Sequence, residues 1–185
     1  MRTLRWTAVF MALVCLANPA FAQSTPESVA EAYVAAIRTN GLTAAADFIH
    51  PDELQRFKVM VAPVFADPGS PAAKGLVQAV FGPQATVESV AAMDPTTFMR
   101  GFMGFLDGQL KATNTTVGNV QILGAVREGD TVHLVTRNST AVAGMELTGL
   151  EVLSLKPYQE TWKLLLSGEI EGLAQALKAK AAAGP

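Results

Sequence analysis

The sequence predicts an α+β fold: N-terminal helices packed on a curved antiparallel four-stranded meander, with a C-terminal helix. Three observations carry this. Between Val117 and Leu166 lie four runs rich in Val, Leu, Ile and Thr, separated by turn signals at Glu128-Gly129-Asp130, Ala143-Gly144 and Lys156-Pro157-Tyr158. Ahead of them, apolar residues recur at helical spacing. One further helical stripe follows them. The sheet supplies a wall, and the helices are expected to cover one face of it.

The first residues read as an address rather than as structure. Arg2 and Arg5 precede the apolar run Trp6 to Leu16, and Ala20-Phe21-Ala22 supplies a small-x-small cleavage pattern. Residues 1–22 are therefore expected to be a signal peptide cut between Ala22 and Gln23, which places the chain in the periplasm or outside the cell. The apolar run is shorter than the roughly 20 residues a membrane span needs, so no stable membrane anchor is expected. Cys15, the only cysteine, leaves with the leader, and with it any thiol or disulfide chemistry. Removing Arg2 and Arg5 changes the formal charge from −2 to −4, with 12 basic residues against 16 acidic ones.

Residues 23–180 read as one α+β domain, since half of the 185 residues are hydrophobic and no linker divides them. Ser24 or Thr25 caps a first helix, with Pro26 and Glu27 in its first turn. Its stripe is Val29, Ala32, Tyr33, Ala36 and Ile37, and Gly41 after Asn40 offers a left-handed cap. A short helix from about Thr43 presents Ala45, Phe48 and Ile49. His50-Pro51 stops it, because the residue before proline avoids helical geometry, and Pro51 begins a third helix. That helix carries Leu54, Phe57, Val61, Val64 and Phe65, and Pro63 ends it. Asp67 to Pro71 and Gly82-Pro83 read as loops, with short helices over 72–81 and 86–93.

Asp94-Pro95 starts the most apolar helix, with Phe98, Met99, Phe102, Met103, Phe105 and Leu106. Its three glycines, Gly101, Gly104 and Gly108, each cost about 1 kcal/mol against Ala. Another backbone packed closely there, or a flexing helix, would make them tolerable. In the sheet, Val120 pairs in parity with Ile122, Val132 with Leu134, and Trp162 with Leu164 and Leu166. The third run switches parity, from Leu150 and Val152 to Leu153 and Leu155, which suggests a bulge near Gly149. Trp162 is expected to be largely buried. A last helix begins at Gly168-Glu169 and carries Ile170, Leu173, Ala174 and Leu177; residues 181–185 read as a disordered tail.

Charged residues make up 16% of the chain, with no run of one sign, so no nucleic-acid partner is indicated. His50 and His133 are the only histidines, and no metal or other cofactor is expected. His50 reads as a helix cap, and His133 as an outward residue beside Arg137. Ser139 and Ser167 have no histidine and acid at a recognisable spacing, and Glu128-Gly129-Asp130 lacks the ligand ladder of a calcium loop.

The segment Glu31-Ala32-Tyr33-Val34-Ala35-Ala36-Ile37-Arg38-Thr39-Asn40-Gly41-Leu42, continued by Ala45-Ala46-Asp47-Phe48-Ile49-His50-Pro51-Asp52, resembles the opening of the nuclear transport factor 2-like (cystatin-like cone) superfamily. Trp162-Lys163-Leu164 is similar to that superfamily's tryptophan-bearing strand. The resemblance covers about thirty residues after the leader and the last fifty; 59–111 is a longer, more helical insertion than the family has. It implies a cone whose mouth takes a small apolar ligand, with Tyr33, Ile37, Phe48, Phe57, Phe102 and Trp162 as lining residues. In the ketosteroid isomerases and polyketide cyclases of that superfamily the cavity performs acid–base chemistry, and Tyr33 looks like the tyrosine that donates to an oxyanion. The early carboxylate base is missing from Leu54-Gln55-Arg56-Phe57-Lys58, so the chemistry does not carry over, and no catalytic residue is assigned. A core tyrosine is the other reading of Tyr33. Three functions stay open: a non-catalytic binding module for a small apolar molecule, a protein-interaction or self-associating domain such as a homodimer through the sheet, and an isomerase- or cyclase-type enzyme.

Overall fold

The computed structural model describes residues 24–66 and 71–183. The expected signal peptide and the loop at Asp67 to Ser70 lie outside the described residues. The order is α+β: α1 (Pro26–Asn40), a 3-10 turn (Leu42–Asp47), α2 (Pro51–Val61), a second 3-10 turn (Ala62–Phe65), α3 (Pro71–Phe81), α4 (Val87–Ala92), α5 (Pro95–Ala112), strands β1 (Thr115–Glu128), β2 (Thr131–Val142), β3 (Met145–Tyr158) and β4 (Thr161–Leu164), and α6 (Gly168–Ala183). The four strands form one antiparallel sheet in the order β1-β2-β3-β4.

Helix boundaries follow local chemistry. The Thr25 hydroxyl accepts from the Ser28 N–H (3.1 Å) ahead of Pro26. His50 caps α2, its Nδ1 accepting from the Asp52 N–H at 3.2 Å. Thr86 and Ser89 form a reciprocal capping box on α4. The Asp94 carboxylate accepts from the Thr97 N–H (3.0 Å) on α5, and the Thr97 side chain first, with backbone N–H groups second, holds its carboxyl below the usual range. Gly41 sits at φ 79° and ψ 179°, so α1 ends in a positive-φ bend rather than the left-handed helical cap expected. The backbone of α6 runs helically to Ala183, into the stretch expected to be a disordered tail.

The core is divided. One cluster is helical, built from Leu54, Phe57, Val61, Phe65, Val77, Val90, Phe98, Met99, Phe102 and neighbours on α2 to α6. Its rings interlock edge to face, with Phe57 and Phe102 centroids 5.1 Å apart. The second joins Val29 and Ala30 of α1 to Val132, Leu134, Leu153, Leu155 and Leu164, with Tyr33, Phe48, Ile122 and Trp162 packed against it. The helices therefore do not all cover the sheet. Most pack on one another, because Phe98, Met99 and Phe102 on α5 and Phe57 on α2 are apolar enough to form their own core.

Within the sheet, β2 and β3 pair without a register break from Val132↔Leu155 to Val142↔Met145. The bulge expected near Gly149 is absent. Irregularities fall instead in β1, between Val117 and Val120 and between Ile122 and Gly124. The parity switch in β3 has another cause: Leu153 and Leu155 face α1, whereas Leu150 and Val152 point to the outer face, 69% and 50% exposed. The expected turn at Lys156-Pro157-Tyr158 moves two residues on, to Gln159-Glu160. Pro157 stays in β3 opposite Trp162, beyond the last β2 partner at Leu155, where β2 loses no ladder bond.

Candidate functional site

Residues on the α1-facing side of the sheet change character along the strands. Val132, Leu134, Leu153 and Leu155 are buried beneath the start of α1. Farther along, the paired Thr136 and Glu151, followed by Asn138, replace them. The sequence does this through alternation: Val132, Leu134, Thr136 and Asn138 share one face of β2 at period two, and Glu151, Leu153 and Leu155 share the facing side of β3. Here α1 and the sheet leave a cleft in two lobes of about 180 and 230 Å³ that share Val34, Val120 and Leu153. Tyr33, Ile37, Leu42 and Val117 complete the apolar wall of the larger lobe, and Asn138 and Glu151 its polar floor. Ala30, Ile122 and Thr136 line the smaller one, with Glu31 and Arg38.

The polar floor is ordered. The Asn138 amide donates to Glu151 Oε2 at 3.1 Å, and the fully buried Thr136 hydroxyl donates to the Glu151 carbonyl at 3.1 Å. Burial pushes the Tyr33 hydroxyl up to about 12, and the negative charge of Glu151 adds to the shift. Tyr33 therefore stays protonated across the physiological range, a neutral donor above an anion. Its ring packs edge to face on Phe48, centroids 5.8 Å apart. In β1 the bulge before Val120 is fixed by Gly118, whose missing side chain leaves room for Ser139, and Ser139 Oγ accepts from the Asn119 N–H at 3.0 Å.

The six residues expected to line one cavity are not brought together. Tyr33 and Ile37 line the cleft. Phe48 supports Tyr33 from the sheet-side core. Phe57 and Phe102 are packed solid in the helical cluster, each 1% exposed, because α2 and α5 face each other there rather than the sheet. Trp162 packs, partly buried, against the sheet-side core away from the cleft: β4 is a four-residue edge strand, and the Arg127 guanidinium sits over the indole at 5.9 Å. Glu151, Asn138 and Thr136 were missed; a hydrophilic break in the inward-facing parity of β2 and β3 was the available signal.

A second polar array lies on the outer face. His133 Nδ1 is 2.8 Å from Ser154 Oγ, and His133 Nε2 is 3.3 Å from Glu128 Oε2. Serine, imidazole and carboxylate in line resemble a nucleophile relay. A relay also needs donors aimed at an oxyanion, and here Ser154 and His133 sit within paired strands whose N–H groups serve the ladder. The array ties β1, β2 and β3 together. Among the described residues, no group of three or more His, Cys, Asp or Glu is placed to hold a metal ion, and no helix is long and apolar enough to cross a membrane.

Compared with protein-family models, with curated proteins and with solved structures, the chain shows no match.

Proposed function

We propose that this chain is a non-catalytic binding module that takes a small, largely apolar molecule into the cleft between α1 and the sheet. The observation that carries this reading is the combination of an apolar wall (Tyr33, Val34, Ile37, Val120, Leu153) with a single ordered polar corner at Asn138 and Glu151. Such clefts are mostly apolar with a few placed polar groups that orient the ligand. An acid–base mechanism needs a second acid converging on Tyr33, and among the described residues lining that lobe Glu151 is the sole carboxylate. The cone of the nuclear transport factor 2-like superfamily and export through a leader ending at Ala22 belong to the same proposal. N-terminal sequencing of the exported protein should begin at Gln23, and an intact leader would refute the export part.

Val34 is shared by both lobes, so Val34→Trp fills the cleft from the α1 side. Native mass spectrometry of the protein purified without detergent should find a bound small molecule that the Val34→Trp variant lacks. The same adduct on both proteins, or on neither, would count against a seat in the cleft.

One observation favours a second reading, self-association through the sheet. Val126, Leu150 and Val152 project from the same outer face, 60%, 69% and 50% exposed, and large apolar side chains left on one sheet face suit a second copy. Sedimentation equilibrium should then show a dimer that Leu150→Lys dissociates; a monomer at all concentrations removes this reading and leaves the first in place.

A further inference from the structure

We propose that the molecule held in the cleft is a lipid with one long alkyl or acyl chain, and that the end of this chain leaves the cleft and lies on an apolar shelf at the tip of the β2–β3 hairpin. This rests on the cleft reading above and names the class of ligand.

The shelf is the far end of the sheet face that floors the cleft. Because β2 and β3 pair without a break, the parity that faces α1 continues through Thr140 and Val142 on β2 and through Leu147 and Met145 on β3. Val117 pairs with Thr140, and Thr140 with Leu147, which sets the three side chains in one row across three strands. Val117 and Thr140 line the larger lobe. Leu147 is the next residue along that row and is 56% exposed; Met145, one row further toward the turn and opposite Val142, is 66% exposed. The wall of the lobe therefore runs out into solvent as aliphatic surface, with Thr140 the one polar side chain in the row. Glu146, between the two, falls on the opposite parity.

Packing does not account for these side chains. Val117, Val142, Met145 and Leu147 belong to neither buried cluster. The turn they flank, Ala143-Gly144, has positive φ at both positions, 49° and 85°, where Asn-Gly is the favoured pair, and Ala141 to Met145 is apolar throughout. A compact ring system would fill a lobe of about 230 Å³ and leave Leu147 and Met145 wet. A flexible chain passes along Val117 and covers them. The row begins inside the lobe, so the occupant of the cleft is also the occupant of the shelf.

Isothermal titration with 1-octanol, 1-decanol and 1-dodecanol, each below its solubility limit, tests this. 1-Octanol stays within the cleft. Beyond it, a methylene covered from one side only should gain about half the free energy of full burial, so affinity should rise about twofold per added methylene. Leu147→Thr, at an exposed strand position, should leave 1-octanol binding unchanged and flatten the rise from 1-octanol to 1-dodecanol. Leu150→Thr, on the opposite face, should preserve the rise. Equal affinities for the three alcohols in the wild type, or a rise that survives Leu147→Thr, overturn the chain inference while binding of 1-octanol keeps the cleft reading. A Leu147→Thr variant that keeps the rise but dissociates a dimer in sedimentation equilibrium assigns the shelf to a second copy and likewise overturns it. Failure of all three alcohols to bind overturns both.

Discussion

At the scale of single residues, Tyr33 makes the most direct electrostatic prediction. Its hydroxyl is raised from 10.0 to about 12, by burial first and by Glu151 second. The unfolded chain releases that proton near pH 10 and the folded protein only near 12, so the contribution is complete below pH 10 and is lost as pH rises toward 12. Urea melts between pH 9 and 12 should show this alkaline loss, and Tyr33→Phe should remove much of it; an unchanged alkaline slope would place the hydroxyl in water. Trp162 gives a second test. A fully buried tryptophan cut to alanine costs about 3–5 kcal/mol, and a half-buried one on a four-residue edge strand should cost about 2 kcal/mol. Tyr33 and Ile37 were legible in the sequence because the α1 stripe placed them inward. Glu151 was not, because a single acid among alternating residues reads as solvent-facing until the register is known.

At the scale of elements, α5 explains why its glycines are not equivalent. A Cβ on Gly101 would lie 2.6 Å from Phe81 Cδ1, and one on Gly108 would meet nothing within 4 Å. The close neighbour is thus an α3 ring rather than a backbone. Gly101→Ala should destabilise by about 1–2 kcal/mol despite its gain in helix propensity. Gly108→Ala should stabilise by about 0.5–1 kcal/mol. Thermal melts of the two variants check both signs. Helix existence, caps and order were readable from proline, capping residues and apolar spacing. The face of α1 was less so: Val29, Ala30 and Val34 turn toward the sheet, while Ala32 is exposed, since small alanines do not fix the rotation of a helix. The β3 parity switch misled for a related reason. A sheet apolar on both faces imitates a bulge, while the real register shifts lay in β1, where the residues that break the pairing are the polar or small Gly118 and Asn119 and the exposed Leu123.

At the scale of the whole molecule, the separation of two cores shapes the function proposed here. The helical cluster stands on its own aromatic packing, so α1 is the helix laid over the sheet core, and the space it leaves beside Val120 and Leu153 is the cleft. The layering was legible in the sequence as helices before strands; which helices meet the sheet was not, because helix–helix and helix–sheet faces have the same apolar period. That is why Phe57 and Phe102 looked like cavity residues and are core. The most direct test follows methyl resonances of the protein during titration with 1-octanol. Shifts should be confined to Val34, Ile37, Leu42, Val117, Val120, Ile122 and Leu153, with Val126, Leu150 and Val152 on the outer face silent. Shifts at the outer-face methyls instead, or no saturable shift at Val34, Val120 and Leu153, would contradict a ligand seat between α1 and the sheet.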